Sequence, residues 1–144
     1  MIDYKKQGKK NRASGLRFEK KVRADLENKW IIVKWQNNIQ FDEKILPSMT
    51  LRKGSCIPAK MGRFRTNQSG FPDFVCYKKL TEGVTNKEYQ IFYQVIFVES
   101  KSNGYLDKAE KEKAQWYLDN NYCSKFLIAS KGKKGEIIYK EWQN

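Results

Sequence analysis

The sequence contains no histidine, has only three cysteines, and has no apolar run near the roughly 18 residues that span a bilayer. Without histidine, Ser-His-Asp chemistry, Cys-His chemistry and histidine-based metal sites cannot be built within the chain. Cys56, Cys76 and Cys123 form no C-x-x-C pair, so we expect reduced structural thiols rather than a zinc site. Residues 1–12 are basic and lack the apolar block of a signal peptide. We therefore expect a cytoplasmic protein with no membrane segment, whose catalysis, if any, uses carboxylates, lysine, tyrosine, serine or a metal.

Negative charge is also scarce. The chain has 29 Lys and Arg against 16 Asp and Glu in 144 residues, which gives a formal net charge of +13. A field of this sign and size attracts polyanions, with nucleic acid as the first candidate and an anionic membrane as the second. The length predicts one domain, long enough to bury a core.

The first part of the chain predicts an arm, a helix and a strand. Residues 1–13 are expected to form a flexible basic arm ahead of a single domain over residues 14–144. Ser14 can cap a helix that runs to about Asn28, because Phe18, Val22 and Leu26 recur every four residues. Residues 30–35 are β-branched and aromatic and predict a strand. Residues 36–70 predict mostly loop, with a short strand near Met61–Arg65.

The second part predicts an α/β architecture. Tyr89–Val98 is the most apolar segment and predicts a central strand covered on both faces. A hairpin before it and a helix after it predict both antiparallel and parallel pairing, hence a mixed sheet flanked by helices. The other predicted elements are a short strand at Phe74–Tyr77, a turn at Thr81–Lys87, a helix from Leu106 to about Asn120, a strand at Phe126–Ala129, a basic turn at Gly132–Gly135 and a final strand at Ile137–Tyr139.

Two segments carry the candidate chemistry. Asp73 follows a proline at the start of one strand, and Glu99 and Lys101 lie two residues apart at the end of the most apolar strand, so they project to one face. Two adjacent carboxylates repel unless a positive charge lies between them, and Mg²⁺ suits such oxygen ligands. A metal can activate water against a phosphodiester, with Lys101 orienting that water or offsetting charge. The competing interpretation is a turn cap at Asp73 and an ordinary surface pair of Glu99 with Lys101.

Other residues are candidates for supporting roles. Glu19 lies beside the apolar stripe of the first helix and is either a further metal ligand or a surface acid paired with Arg23. The basic residues taken together argue for a polyanion, although any one of them is also an ordinary surface charge. The candidate contacts to nucleic acid are Arg12, Arg17, Arg63, Arg65, Lys131, Lys133 and Lys134.

At these residues the chain resembles the PD-(D/E)xK nuclease superfamily. Pro72-Asp73 matches the first half of the motif and Glu99-Ser100-Lys101 matches the second. The helix bearing Gly15-Leu16-Arg17-Phe18-Glu19 resembles that of Holliday-junction resolvases and of the virus-type replication-repair branch of the superfamily. The similarity covers about residues 12–130. The residue between Glu99 and Lys101 is often apolar in the family, and here it is serine.

The resemblance implies a restriction-endonuclease-like αβββαβ core and specific site roles. Asp73 and Glu99 would hold Mg²⁺ or Mn²⁺ together with the Ser100 backbone carbonyl, Lys101 would be the catalytic lysine, and Glu19 would be the accessory acid and a further metal ligand. The family often places a glutamine on the following helix. Lys113 and Gln115 are both near the expected place, and Lys111 is an alternative.

The function expected from this resemblance is a metal-dependent DNA endonuclease, with branched DNA as a plausible substrate and a homodimer as a plausible state. A viral or mobile-element source would place it in the host cytoplasm. The alternative is a basic nucleic-acid-binding module without catalysis, which would bind in a salt-dependent way and cut nothing.

Overall fold

A computed structural model describes residues 4–42, 53–59 and 70–143 of the chain. The elements are α1 (Tyr4–Glu27), β1 (Ile31–Lys34), β2 (Asn37–Phe41), β3 (Gly54–Pro58), β4 (Phe74–Thr85), β5 (Glu88–Ser100), α2 (Lys108–Asp119), β6 (Lys125–Lys131), a 3₁₀ turn (Lys133–Gly135) and β7 (Ile137–Glu141). Neither helix in these ranges has the length and apolarity that crossing a membrane requires.

Five of the strands form one mixed sheet in the order β1-β4-β5-β6-β7. β4 pairs antiparallel with β1 and β5, β5 pairs parallel with β6 across the α2 connection, and β7 returns antiparallel to β6. The predicted α/β class, the antiparallel hairpin and the parallel crossover are therefore confirmed.

A helix covers each face of the sheet, which explains why consecutive residues near the end of β5 are apolar. Phe18, Val22 and Leu26 of α1 pack on the face that carries Ile96 and Val98. The opposite face carries Phe97 and packs against α2. This second core contains Ile39, Phe71, Phe97, Leu106, Ala114, Trp116, Tyr117, Cys123, Phe126 and Ile128. Side chains alternate between the two faces along a strand, so Glu99 and Lys101 point to the same face as Phe97, toward α2.

The first helix is longer than predicted. It begins at Tyr4 rather than Ser14, so the described part of the predicted flexible arm, residues 4–13, is helical and Ser14 lies inside α1. The cause is local propensity: seven of these ten residues are good helix formers (four lysines and one each of arginine, glutamine and alanine), there is no proline, and glycine occurs once, at position 8. The charged side chains of this first part of α1 remain exposed.

The long loop predicted over residues 36–70 contains structure. β2 and β3 form a separate two-stranded antiparallel sheet, with Ile39 opposite Cys56. Ile39 is buried in the core on the α2 side. The short strand predicted near Met61–Arg65 lies outside the described residues.

The β4–β5 hairpin is also longer than predicted. The predicted turn at Thr81–Lys87 is mostly strand, and the chain reverses only at Asn86 and Lys87, whose φ angles are +51° and +66°. β5 is buried on both faces only near its C-terminal end, at residues 96–99. The predicted two-sided burial is wrong for Tyr89–Tyr93, where the hairpin extends past its neighbouring strands and most side chains are exposed.

Candidate active site

The candidate residues meet where three strands reach the same end of the sheet. Phe74, the first residue of β4, pairs with Val98 near the end of β5 and with Lys34 at the end of β1. This register places Asp73, just before β4, beside Glu99 and Lys34. The sequence separation of Asp73 and Glu99 is thus closed by the antiparallel hairpin.

Asp73 and Glu99 are linked by two hydrogen bonds from backbone N–H groups to their carboxylates. The Asp73 backbone N–H donates to Glu99 Oε2 at 2.9 Å, and the Ser100 N–H donates to Asp73 Oδ2 at 2.9 Å. Each carboxylate therefore uses one oxygen to accept a main-chain hydrogen bond from the segment that carries the other. These two bonds fix the relative position of both acids and leave one oxygen of each for another partner.

The second oxygen of each carboxylate faces a lysine. Lys34 Nζ lies 3.2 Å from Asp73 Oδ1, and Lys101 Nζ lies 3.6 Å from Glu99 Oε1. The prediction that Glu99 and Lys101 project to one face is confirmed by this contact. Lys34 was not among the predicted site residues. The sequence feature that could have identified Lys34 is a charge at the end of a strand that is otherwise apolar.

Burial makes the acidic pair electrostatically unfavourable. Glu99 is only 7% exposed. Desolvation, reinforced by the charge of Asp73, raises the pKa of Glu99 from 4.5 to about 8, although Lys101 and the Asp73 backbone N–H act in the opposite direction. At neutral pH, the positive charge nearby does not fully compensate the negative charge of the Asp73–Glu99 pair.

Lys101 lies between two carboxylates. Besides Glu99, its ammonium donates to Glu110 Oε1 in the first turn of α2. Burial acts to lower the pKa of Lys101, but the hydrogen bond to Glu110 and the charges of Glu99 and Glu110 outweigh it, and the pKa is raised. Glu110 was also missed from the sequence. The capping-box spacing of Asp107 and Glu110 is the signal that would have found it, since both reciprocal bonds of that box are present.

The short segment before Asp73 is anchored by close packing. Phe71 N–H donates to the Asn37 carbonyl at 2.9 Å, and the Tyr117 hydroxyl donates to the Phe71 carbonyl at 2.7 Å. A Cβ atom on Gly70 would lie 2.2 Å from the Trp35 carbonyl oxygen, so only glycine fits there. The buried Tyr117 also accepts a hydrogen bond from Trp35 Nε1 at 3.1 Å. The core on the α2 side thus sets the position of Asp73.

Glu19 reaches the site indirectly. It lies on α1, and its Oε1 pairs with Lys34, which in turn contacts Asp73. The surface pair predicted as the alternative, Glu19 with Arg23, is not the contact observed: Arg23 pairs with Glu27 at 2.9 Å. Ser100 contributes its N–H to Asp73, and its buried hydroxyl has no hydrogen-bond partner in the described part of the chain. Metal coordination by Glu19 or by the Ser100 carbonyl stays a prediction.

The candidates on α2 have different surroundings. Lys113 is half-buried, which lowers its pKa, and it interacts electrostatically with Glu99 and Glu110. Gln115 instead donates to Asp119 at 2.8 Å, one turn further along the helix. Lys111 lies with its ammonium 6.0 Å from the centre of the Trp142 ring. Of these three, Lys113 is the one that shares the electrostatic environment of the acidic pair.

Basic residues surround this end of the sheet. Lys131, at the end of β6, holds its ammonium 5.6 Å from the centre of the Phe18 ring on α1, and Lys21 donates to the Gly135 carbonyl. The turn after β6 therefore packs beside the part of α1 that carries Glu19. Arg12, Arg17, Lys133 and Lys134 are exposed, whereas Arg63 and Arg65 lie outside the described residues.

The donor chemistry of the pair suits a hard divalent cation. Within residues 4–42, 53–59 and 70–143, no group of three or more Asp, Glu, Cys or His side chains converges as a metal cage would. Mg²⁺ does not need such a cage, because it is commonly bound by one or two carboxylates together with waters and substrate phosphates. Asp73 and Glu99 meet that requirement, and the raised pKa of Glu99 reports the positive charge that the pair lacks.

No family model matches the chain, and no curated protein or solved structure is significantly similar to it. What the site does must therefore be argued from its own residues.

Proposed function

We propose that this protein is a metal-dependent DNA nuclease of the PD-(D/E)xK type. The observation that carries the proposal is the interlocked pair of Asp73 and Glu99 at one strand end, with Lys101 3.6 Å from Glu99. The competing interpretation, a turn cap and a separate surface pair, does not account for a carboxylate that is 7% exposed. Burying Glu99 beside Asp73 costs stability, so a functional reason for the arrangement is favoured.

The finer fold is part of the proposal. Leaving out the β2–β3 pair and the final strand, the chain runs α1, β1, β4, β5, α2, β6. This order is that of the αβββαβ core expected from the sequence resemblance, and the acidic residues lie at its second and third strands. The order supports a restriction-endonuclease-like core.

Asp73 and Glu99 would hold Mg²⁺ or Mn²⁺ through the two oxygens that now face lysines, with the Ser100 carbonyl and Glu19 as further ligands. When bound, such a cation polarises a phosphoryl oxygen and lowers the pKa of a bound water. Burial of Glu99 and the backbone bonds to both acids keep the ligand positions fixed, which reduces the reorganisation needed at each turnover.

Lys101 is the proposed catalytic lysine. Its ammonium is half-buried, is oriented by Glu110 and lies beside the acidic pair. There it can donate a hydrogen bond to a phosphate oxygen as negative charge develops, or orient the attacking water. Water adds to phosphorus, the P–O bond to one nucleotide breaks, and the departing oxygen takes up a proton. Lys113 is the proposed accessory cation on α2.

DNA is the proposed substrate because of charge. The chain carries +13 overall, and the turn after β6 lies beside Phe18 and Lys21 of α1, toward the same end of the sheet as the acidic pair. Such residues bind phosphates without reading sequence. Arg12, Arg17, Lys131, Lys133 and Lys134, with Arg63 and Arg65, are the proposed contacts. Endonucleolytic cleavage and selectivity for branched DNA follow from the resemblance alone.

The proposal is tested by cleavage of single-stranded, linear duplex, supercoiled and four-way-junction DNA in Mg²⁺ or Mn²⁺, with EDTA as the blank. We expect metal-dependent cutting of at least one substrate. Asp73→Asn and Glu99→Ala should abolish it while DNA affinity is kept or raised, since each removes a negative charge. Lys101→Ala should slow it by roughly 10²–10³-fold. Glu27→Gln, on the exposed side of α1, is the matched control and should cut normally.

The outcomes separate the two candidate functions. Salt-dependent DNA binding with no cutting on any substrate would favour the non-catalytic binding module. Normal cutting by Asp73→Asn would refute the site.

A homodimer is also proposed, through the outer part of the β4–β5 hairpin, residues 78–94. Tyr89, Phe92 and Tyr93 there are 63%, 50% and 49% exposed, which is on the order of 300 Å² of aromatic residue surface. Beyond Tyr77 on β4 and before Ile96 on β5, neither strand has another partner among the described strands. The segment has three lysines and two glutamates in a chain of +13, so two copies would meet little charge repulsion there.

A further inference from the structure

Lys34 occupies a position between two acids that the sequence pattern did not associate with it. Its ammonium pairs with Glu19 on α1 and lies 3.2 Å from Asp73 Oδ1, so it is the charge that links the helix to the strand end. The same ammonium lies 5.2 Å from the centre of the Phe74 ring. Lys34 is the last residue of β1, whose backbone pairs with β4 at Phe74.

The oxygen that Lys34 faces is the one that a metal would need. Asp73 Oδ2 is already used by the Ser100 N–H, so Oδ1 is the oxygen left for an outside partner. A divalent cation bound there and the Lys34 ammonium would lie a few ångströms apart and repel each other strongly. The two cations therefore cannot both sit at Oδ1.

The Lys34 ammonium is free to move away from Asp73 and Glu19. Its side chain is 42% exposed, against 28% for Lys101, and it is a long flexible chain whose ammonium can rotate into solvent. Its backbone stays fixed in the β1–β4 ladder. Movement of the ammonium would break two ion pairs without disturbing the strands, and it would free Glu19, whose only described link to the site is Lys34.

We propose that Lys34 is a built-in counterion, which neutralises Asp73 and Glu19 in the metal-free protein and is displaced when the divalent cation binds. This inference rests on the proposed function, because it concerns the metal site of the nuclease. It makes Lys34 a positioning residue that holds the acids in place before the metal arrives. It also gives Glu19 a role, as an acid that becomes available to the metal site only when Lys34 has moved.

The test is the affinity for Mn²⁺, measured by isothermal titration calorimetry without DNA. Lys34→Met removes the competing charge and should bind Mn²⁺ more tightly than wild type, on the order of tenfold. Lys34→Gln is the second variant, in case the methionine variant folds poorly. Lys125→Met is the matched control: it removes one lysine charge from the start of β6, where the ammonium lies 3.0 Å from Glu141 Oε2, and should bind as wild type does.

Thermal melting in EDTA gives an independent readout. The Lys34 variants should melt below wild type without metal, because Asp73 and Glu19 lose their counterion, and the difference should disappear at saturating Mn²⁺. Unchanged or weaker Mn²⁺ binding by both Lys34 variants would overturn the counterion role even if wild type cuts DNA. Absence of Mn²⁺ binding in wild type and all variants would overturn the metal site itself, and with it the proposed function.

Discussion

The metal-free protein should lose stability as the pH rises, because of Glu99. The pKa of this carboxyl is raised to about 8 from 4.5, first by desolvation and then by the charge of Asp73. Below pH 4.5 Glu99 is protonated in both the folded and the unfolded states. Between pH 4.5 and about 8 the unfolded chain releases the proton while the folded chain keeps it, so unfolding becomes easier with each pH unit. Above about 8 the penalty is complete.

The size of this effect is measurable. One pKa unit corresponds to about 1.4 kcal/mol, so the full window from 4.5 to about 8 corresponds to on the order of 5 kcal/mol, of which about 4 kcal/mol falls between pH 5 and pH 8. That is a large part of the roughly 5–15 kcal/mol by which a domain is stable. With a urea m value of about 2 kcal/mol per molar, the midpoint should fall by about 2 M between pH 5 and pH 8.

The assay is urea unfolding in EDTA at several pH values, followed by the fluorescence of the four tryptophans. Glu99→Gln removes the ionisable group and can still accept the Asp73 N–H. Its unfolding free energy should therefore change little where that of wild type falls, and at pH 8 it should be the more stable protein. Glu27→Gln, at an exposed position, should keep the slope of wild type. If the difference between wild type and Glu99→Gln is the same at pH 5 and pH 8, the acidic pair is not short of positive charge and the reasoning fails.

Three further predictions concern the supports of the site and the hairpin. Gly70→Ala places a Cβ 2.2 Å from a backbone oxygen, so it should lower the free energy of unfolding by about 1–3 kcal/mol in urea and remove most of the cleavage activity. Gly8→Ala, in open space on α1, is the control and should not destabilise the protein in the same measurement. Tyr117→Phe leaves buried partners unpaired and should cost about 1–3 kcal/mol in the same assay; unchanged stability would argue against that anchor. Ile91→Lys should convert a dimer to a monomer in light-scattering measurements, and Ile138→Lys, exposed on β7, should not; a wild-type monomer at high concentration would exclude the proposed dimer.

The sequence predicted the elements whose pattern reflects burial. The stripe of Phe18, Val22 and Leu26 identified α1, and the apolar run ending at Val98 identified the central strand, because both faces of the sheet are covered there. The proximity of Asp73 and Glu99 followed from reading the intervening residues as an antiparallel hairpin. The predictions failed at the start of α1, where exposed residues carry no periodic apolar signal, and at the outer hairpin, where apolar residues of β5 are exposed instead of buried. They also failed at β2 and β3, which were read as loop although Ile39 is buried.

The rest of the site could not be read from single residues. Lys34 and Glu110 contribute through long side chains that reach across the fold, and nothing in their local sequence states which partner they reach. Lys113 and Gln115 differ by about half a helical turn, so a two-residue error in the helix phase would exchange their roles. Only the packing of α2 against the sheet decides between them, and it places Lys113 in the field of Glu99.

The distribution of charge supports one function more than any single contact does. A chain of +13 with 16 acidic residues has little need to place acids together, and Glu27, Glu82 and Glu141 each pair with one lysine or arginine at exposed positions. At one end of the sheet, however, Asp73, Glu99, Glu19 and Glu110 share Lys34 and Lys101 as their paired cations within the described part of the chain. A basic exterior attracts a polyanion from a distance, and an acidic centre would repel its phosphates at contact unless a cation intervenes. A phosphodiesterase that uses a divalent metal requires both properties in one molecule, whereas a DNA-binding module requires only the first. Neutralising the acidic centre without metal, as Asp73→Asn does, should therefore strengthen DNA binding and end cleavage, and this opposite response of the two measurements distinguishes the enzyme from the module.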